Sequence, residues 1–215
     1  MGQDGGMPPS ASLDRTTIID AALAILEHEG ADKLTMRRLA DELGSKPMTL
    51  YHYVPNKEAL LSMALSEVAA RIDWAVPTGP PRERMIEIAI DMRDRLAAIP
   101  WIVAILQEGA NVGTPALAIA ERFFEAAYEL GADDQTVLDL WRVVWSLTVS
   151  DVHWAELARQ RAAGQHGWFD TIDPAAVADL PRVSAMLPKW RQVVDNFDLR
   201  RAIAAQIDGM LGSSG

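Results

Sequence analysis

The sequence predicts an all-α protein of nine or ten helices. Three observations carry that reading. Apolar residues recur at three- and four-residue spacing in one segment after another. Glycine, proline and short polar capping residues punctuate those segments. Strand-type alternation is nowhere evident. The 215 residues suffice for one sizeable core or two small ones. Hydrophobic residues at 49% and charged residues at 23% fit a globular rather than a disordered chain. Cysteine is absent, which excludes a disulfide framework and a thiolate metal site.

The opening MGQDGGMPPSAS lacks a basic region followed by an apolar core, so it reads as a disordered arm over 1–13, not a signal peptide. The first helix is expected from about Arg15 to Glu29, capped by Asp14 and closed by Gly30. Ile19, Leu23 and Leu26 form its expected buried stripe. A long helix is expected from Asn56 to about Trp74, with Leu60, Met63 (or Ala64) and Val68 inward. Val76–Pro81 then breaks the chain. Arg82 to about Ala98 is amphipathic through Met85, Ile88, Ala89, Met92 and Leu96.

Pro100 interrupts, and Trp101–Leu106 reads as a short apolar helix, with a loop over Glu108–Gly113. Thr114 is expected to cap the next helix, which has Pro115 at its first position and stops at Gly131. Asp133 or Asp134 caps the longest apolar segment, Val137–Leu157. Residues 164–181 read as a loop with room for one helical turn. Further helices are expected at Arg182–Val194, disturbed by Pro188, and at Leu199–Leu211, capped by Asp198. The closing residues 212–215 read as a flexible tail. No apolar run approaches membrane-spanning length, and a cytoplasmic location is expected.

The most informative stretch runs from Leu34 to Lys57, LTMRRLADELGSKPMTLYHYVPNK. It reads as two short helices joined by a tight turn, then the capped start of a third. Thr35 can cap the first, which buries Leu39, Ala40 and Leu43, and Gly44 can end it. Ser45 is expected to cap the second, with Pro47 in its first turn. Leu50 and Val54 then face inward, leaving Lys46, Met48, Thr49, His52 and Tyr53 to face outward. Asn56 caps the third helix. From Lys33 to Lys57 five basic residues stand against two acidic ones, in a chain of net charge −10. A basic island of this kind, beside a short helix bearing small, polar and aromatic groups, suits phosphate contact and entry into a DNA major groove. A solvated helix pair with ordinary surface charges would look similar.

The stretch resembles the helix-turn-helix of the TetR family of bacterial transcriptional repressors. The shared residues are Leu34, Thr35, Leu39, Ala40, Glu42, Leu43 and Gly44, the triplet Thr49-Leu50-Tyr51, and the run Val54–Leu61. The resemblance implies a three-helix DNA-binding domain over 14–60 and a helical ligand-binding and dimerisation domain over 61–211. It implies base contacts from Lys46, Pro47 and Met48, and phosphate or base contacts from Thr49, Tyr51, His52 and Tyr53. Thr35 and Lys57 would hold phosphates, and Arg37 would reach a guanine or a phosphate. Arg38 stays ambiguous, and Arg15 or Thr17 are equally readable as phosphate contacts or plain surface.

Two features of the second domain carry functional expectations. Val137–Leu157 is apolar on nearly every side, and such a helix is buried all round, most simply by a second subunit. Family members dimerise through two C-terminal helices, which implies a homodimer meeting a palindromic double-stranded operator. All seven tryptophans, at 74, 101, 141, 145, 154, 168 and 190, lie outside the helix-turn-helix. Met92, Trp101, Gln107, Phe123, Trp141, Trp145 and Thr148 are the candidate lining of a pocket for a small apolar or aromatic effector, with Asp151 and His153 as further polar candidates. The same side chains can equally fill a core.

Tetracycline-responsive members use a histidine before a Gly-Thr-Arg-Pro-like turn. Here the run is Asn111-Val112-Gly113-Thr114-Pro115, without histidine or arginine. No metal-chelate effector of that type is expected, and no cofactor. Catalytic residues are not expected either, because clustered Glu-x-x-His pairs and nucleophile–base sets are missing. A constitutive regulator or an activator without an effector is the alternative.

Overall fold

A computed structural model of the chain describes residues 13–107, 113–160, 171–190 and 196–212. The expected terminal arm up to residue 12, the tail from residue 213, the 108–112 loop, Trp168 and the 191–194 helix end lie outside the described residues. So does the Gln107 side chain. Gly212, by contrast, closes the last helix. Among the described residues there are ten α-helices and no strand.

Asp14 starts α1, Arg15–Glu29, by accepting a hydrogen bond from the Thr17 amide at 2.8 Å. Gly30, at φ +88°, ends it. The buried stripe is Ile18, Ala22, Leu23, Ile25 and Leu26. The expected Ile19 is only half-buried. Two adjacent isoleucines leave the phase of the stripe open, and the i, i+4, i+7, i+8 set beginning at Ile18 buries more.

Helix α2 is Met36–Glu42 and α3 is Pro47–Tyr51. Thr35 caps α2, its Oγ1 accepting from the Arg38 amide at 3.0 Å. Ser45 does not cap α3. Its amide donates to the Ala40 carbonyl at 2.9 Å while Gly44, at φ +58°, donates to Asp41, which closes the end of α2. Lys46 is the residue before α3 and gives no side-chain cap; Pro47 sets the helical start instead. Asn56 caps α4, Lys57–Arg71, through the Ala59 amide at 2.7 Å. This helix stops three residues short of the expected Trp74. It buries Leu60, Leu61, Ala64, Leu65 and Ala69, while Met63 and Val68 are half-buried.

The chain divides into two compact units. The first holds residues up to Asp73 together with Ile99–Leu117. Within it α1 packs on α2 and α4, and α2 on α3. Helix α6, Ile102–Gln107, packs on the 3₁₀ turn Ala31–Lys33, and the 3₁₀ turn Thr114–Ala116 packs on α4. Thr114 lies inside that turn, not at its cap. The cap is Gly113, whose carbonyl accepts from the Ala116 amide at 2.8 Å.

The second unit holds Trp74–Ala98 and Ala118 onward. Its frame is α5, Pro81–Ala97, with α8, Asp134–Gln160, and α10, Leu199–Gly212, mutually packed. Helix α7, Leu117–Glu129, ends where Gly131 takes φ +82°. Asp133 caps α8 through the Thr136 amide, and Asp198 caps α10 through the Arg201 amide. Helix α9 is the short Pro181–Met186, followed by a 3₁₀ turn at Leu187–Lys189, where Pro188 falls. Among the described residues no helix is long and apolar enough to cross a membrane.

Candidate nucleic-acid interface and aromatic core

Helix α3 is short, so its side chains divide sharply. Leu50 and Val54 are fully buried and anchor it to the first unit. Around that anchor Lys46, Pro47, Met48, Thr49, Tyr51, His52 and Tyr53 are all exposed. Met48 is 72% exposed, an apolar side chain held in water by its position. A methionine left in water there costs solvation in the free protein. Lys46 and His52 supply polar reach at the two ends of the helix.

Arg37, on α2, is exposed, and among the described residues it makes no ion pair. Its neighbour Arg38 is half-buried and engaged. Its Nη2 and Nε donate to the two Glu29 oxygens at 2.5 and 3.3 Å, and its Nη1 donates to Glu42 at 2.7 Å. These bonds hold the Glu29 carboxyl below its ordinary range and push the Arg38 guanidinium further up. Arg38 is the ambiguous basic residue of the stretch. Its i, i+4 partner Glu42 is visible from spacing, but Glu29, nine residues away across a turn, is not. Lys57 donates to the Ala31 carbonyl at 3.4 Å, tying the start of α4 to the α1–α2 turn while its side chain stays exposed. Thr35 is exposed and already spends its hydroxyl on capping α2.

In the second unit three of the candidate residues, Phe123, Trp141 and Trp145, come together. Phe123 of α7 is fully buried and meets Trp141 of α8 edge-on, with centroids 5.3 Å apart. Phe124 meets the same indole at 5.9 Å, and Trp145 lies 6.3 Å from it along α8. Met92 of α5 is buried. Thr148 is fully buried, and its hydroxyl has no hydrogen-bond partner among the described residues. Trp101 is buried too, but it belongs to the first unit. Asp151 accepts from Arg93 Nε at 2.8 Å and is occupied by that bond. Helix α8 is a single 27-residue helix whose buried residues include Val137, Leu140, Val144, Val149 and Val152. It leaves Leu138 and Trp154 55% and 52% exposed. Among the described residues no three His, Asp or Glu side chains gather as metal ligands.

A helix-turn-helix with an exposed α3 face, on a chain that is helical among the described residues, fits a DNA-binding transcriptional regulator. Residues 18–64 match the family described as bacterial regulatory proteins, tetR family. That match places the helix-turn-helix region of the chain with the TetR regulators. The chain is 29% identical over 178 residues to an HTH-type transcriptional regulator of Saccharopolyspora erythraea, covering 82% of this chain and 75% of that one. It is 47% identical over 68 residues to the class D tetracycline repressor of Escherichia coli, 31% of each chain. The fold is that of the Streptomyces coelicolor protein ActR, solved in complex with actinorhodin. The TM-score is 0.75 at 23% identity, covering 95% of this chain and 100% of that one.

Proposed function

We propose that the protein is a homodimeric, effector-responsive repressor that binds a palindromic operator through α3 and the start of α2. The observation that carries this is the division of α3: Leu50 and Val54 are sealed inside while every other side chain from Lys46 to Tyr53 is exposed. Arg37, Lys46 and His52 supply hydrogen bonds. Met48 and Pro47 supply apolar contact, so sequence preference rests partly on thymine methyls and DNA shape. Thr49, Tyr51, Tyr53, Thr35 and Lys57 meet phosphates and fix register without reading sequence.

The second unit is the proposed effector and dimerisation part. Phe123, Trp141 and Trp145 supply grouped aromatic rings, and Met92 and the unspent hydroxyl of Thr148 are assigned with them to a site for an aromatic molecule. That ActR binds actinorhodin supports this class of effector here. Leu138 and Trp154, apolar side chains of α8 left half in water, support a second copy of the chain as cover. The effector releases DNA only if it favours one of two head separations over the other. Such a protein works in the cytoplasm, where the chromosome is.

Selection of duplexes from a random library by the full-length protein, at near-physiological salt, tests the reading. Recovery of a short palindrome supports it. Recovery of no preferred sequence by folded, dimeric protein removes the repressor reading. An operator whose affinity no aromatic compound changes leaves a constitutive regulator.

A further inference from the structure

We propose that Arg38 is a positioning residue for DNA reading: it locks the end of α1 to α2 through Glu29 and so fixes how Arg37 is presented, without touching DNA itself. The inference rests on the DNA-binding reading of α2 and α3. The geometry assigns the role. Three of the five guanidinium N–H groups of Arg38 are spent on Glu29 and Glu42. The cluster carries two carboxylates and one cation, a local charge that repels phosphate. A phosphate contact from Arg38 would therefore have to displace a bidentate carboxylate first.

The lock is placed where the unit needs it. Helix α2 has seven residues and α3 five, lengths that do not hold helical form without tertiary fixing. Between α1 and α2 lie Gly30 at positive φ and the 3₁₀ turn Ala31–Lys33, a connection with little stiffness of its own. Glu29 is the last residue of α1, and Arg38 sits one turn into α2. Its backbone amide is already held by the Thr35 hydroxyl. Backbone cap and side-chain clamp act on the same residue from two sides. Arg37, next in sequence and free of ion pairs among the described residues, then points from a fixed platform.

The two arginines separate in binding measurements on full-length variants, using the palindromic duplex selected by the wild type and a scrambled duplex of equal length. E29Q gives the sharpest test. Removing an anion near DNA strengthens binding on electrostatic grounds alone. The clamp predicts the reverse for the selected duplex: the ratio of selected to scrambled affinity falls about two- to fivefold, the scale of an exposed ion pair. R38Q lowers that ratio by a similar factor, and in the E29Q background it adds little, because the pair acts as one. R38K follows R38Q, since a lysine cannot make the fork.

Salt dependence gives the second readout. R37Q lowers the slope of log affinity against log salt by about one, as loss of a DNA contact does, whereas R38Q leaves the slope unchanged. A slope lowered by R38Q, with E29Q neutral or tighter on the selected duplex, overturns the proposal and makes Arg38 a DNA contact. Unchanged helical circular dichroism is required of each variant, and R38K serves where R38Q does not fold. Failure of the wild type to select any duplex is a separate outcome that removes the DNA-binding reading beneath it.

Discussion

Gly113 lies flush against the backbone of Leu65: a Cβ added to the glycine would sit 2.7 Å from the Leu65 carbonyl oxygen and 3.2 Å from the Ala69 Cβ. The contact is inside the first unit, between the Thr114–Ala116 turn and α4. Its φ is −87°, so backbone freedom is not what the position requires. Space is. The nearest atoms are backbone of a packed helix and cannot swing away. G113A is expected to destabilise the protein by about 1–3 kcal/mol, the range for overpacking a tight contact. Urea denaturation measures it. A variant as stable as wild type would show that the turn can lift from α4 at no cost.

Specificity at α3 yields a second prediction. R37A is expected to relax preference at one base pair of each half-site by ~1–3 kcal/mol, if the arginine reads a base edge. M48A is expected to relax preference for thymine where the side chain lands, with the salt slope unchanged, because no charge is lost. Repeating the duplex selection with each variant reads both effects. Uniform weakening across all sequences on R37A would move that residue from base reading to phosphate holding.

Much of this is legible in the sequence because it is local. Asp14, Thr35, Asn56 and Asp198 cap helices that begin within three residues of them, and each does so in the structure. The burial of Leu39, Leu50 and Val54 follows from spacing alone. The misreadings are also local, but they turn on competition. Ser45 is a good capping residue that lies one position too early, because Pro47 decides where α3 starts. Thr114 fails for a similar reason beside Pro115. Spacing does not reveal tertiary pairing: Glu29 with Arg38, Arg82 with Asp208, and Gly113 with Leu65 join residues with no periodic relation. The aromatic grouping is half legible, since Trp141 and Trp145 lie one turn apart, whereas Phe123 has to come from another helix.

Acid should loosen the second unit through two inter-helix ion pairs. Arg200 of α10 grips both oxygens of Glu87 on α5 at 2.6 and 3.0 Å, and Arg82 of α5 grips Asp208 of α10 at 2.6 and 2.8 Å. Hydrogen bonding to the guanidinium lowers each carboxyl below its ordinary value, 4.5 for Glu87 and 3.8 for Asp208. The unfolded state then binds more protons, so stability rises with pH in this window. The contribution is complete above those ordinary values and is lost as pH falls through the lowered ones. Melting temperatures from about pH 6 to about pH 3 should fall for the wild type, with E87Q and D208N starting lower and losing less. Variant curves parallel to the wild type throughout would remove the ion pairs from the account.

Thr148 sets stability and binding against each other. It is fully buried on α8, with Val144 and Val152 buried one turn to either side. A helical threonine often returns its hydroxyl to the carbonyl four residues back, yet among the described residues this one has no partner. An unmet hydroxyl in an apolar interior costs roughly 1–3 kcal/mol, and valine has the same shape without it. T148V is therefore expected to stabilise the effector-free protein by about 1 kcal/mol, seen as a higher urea midpoint with an unchanged m-value. A polar group held unpaired at a stability cost is what a binding site uses and a mere core does not. If Thr148 faces the effector, T148V also weakens release from the operator by an aromatic compound that bears a hydrogen-bonding group. It leaves release by a purely apolar analogue intact. A destabilised T148V would mean that the hydroxyl is bonded in solution, and Thr148 would then leave the pocket reading for the core.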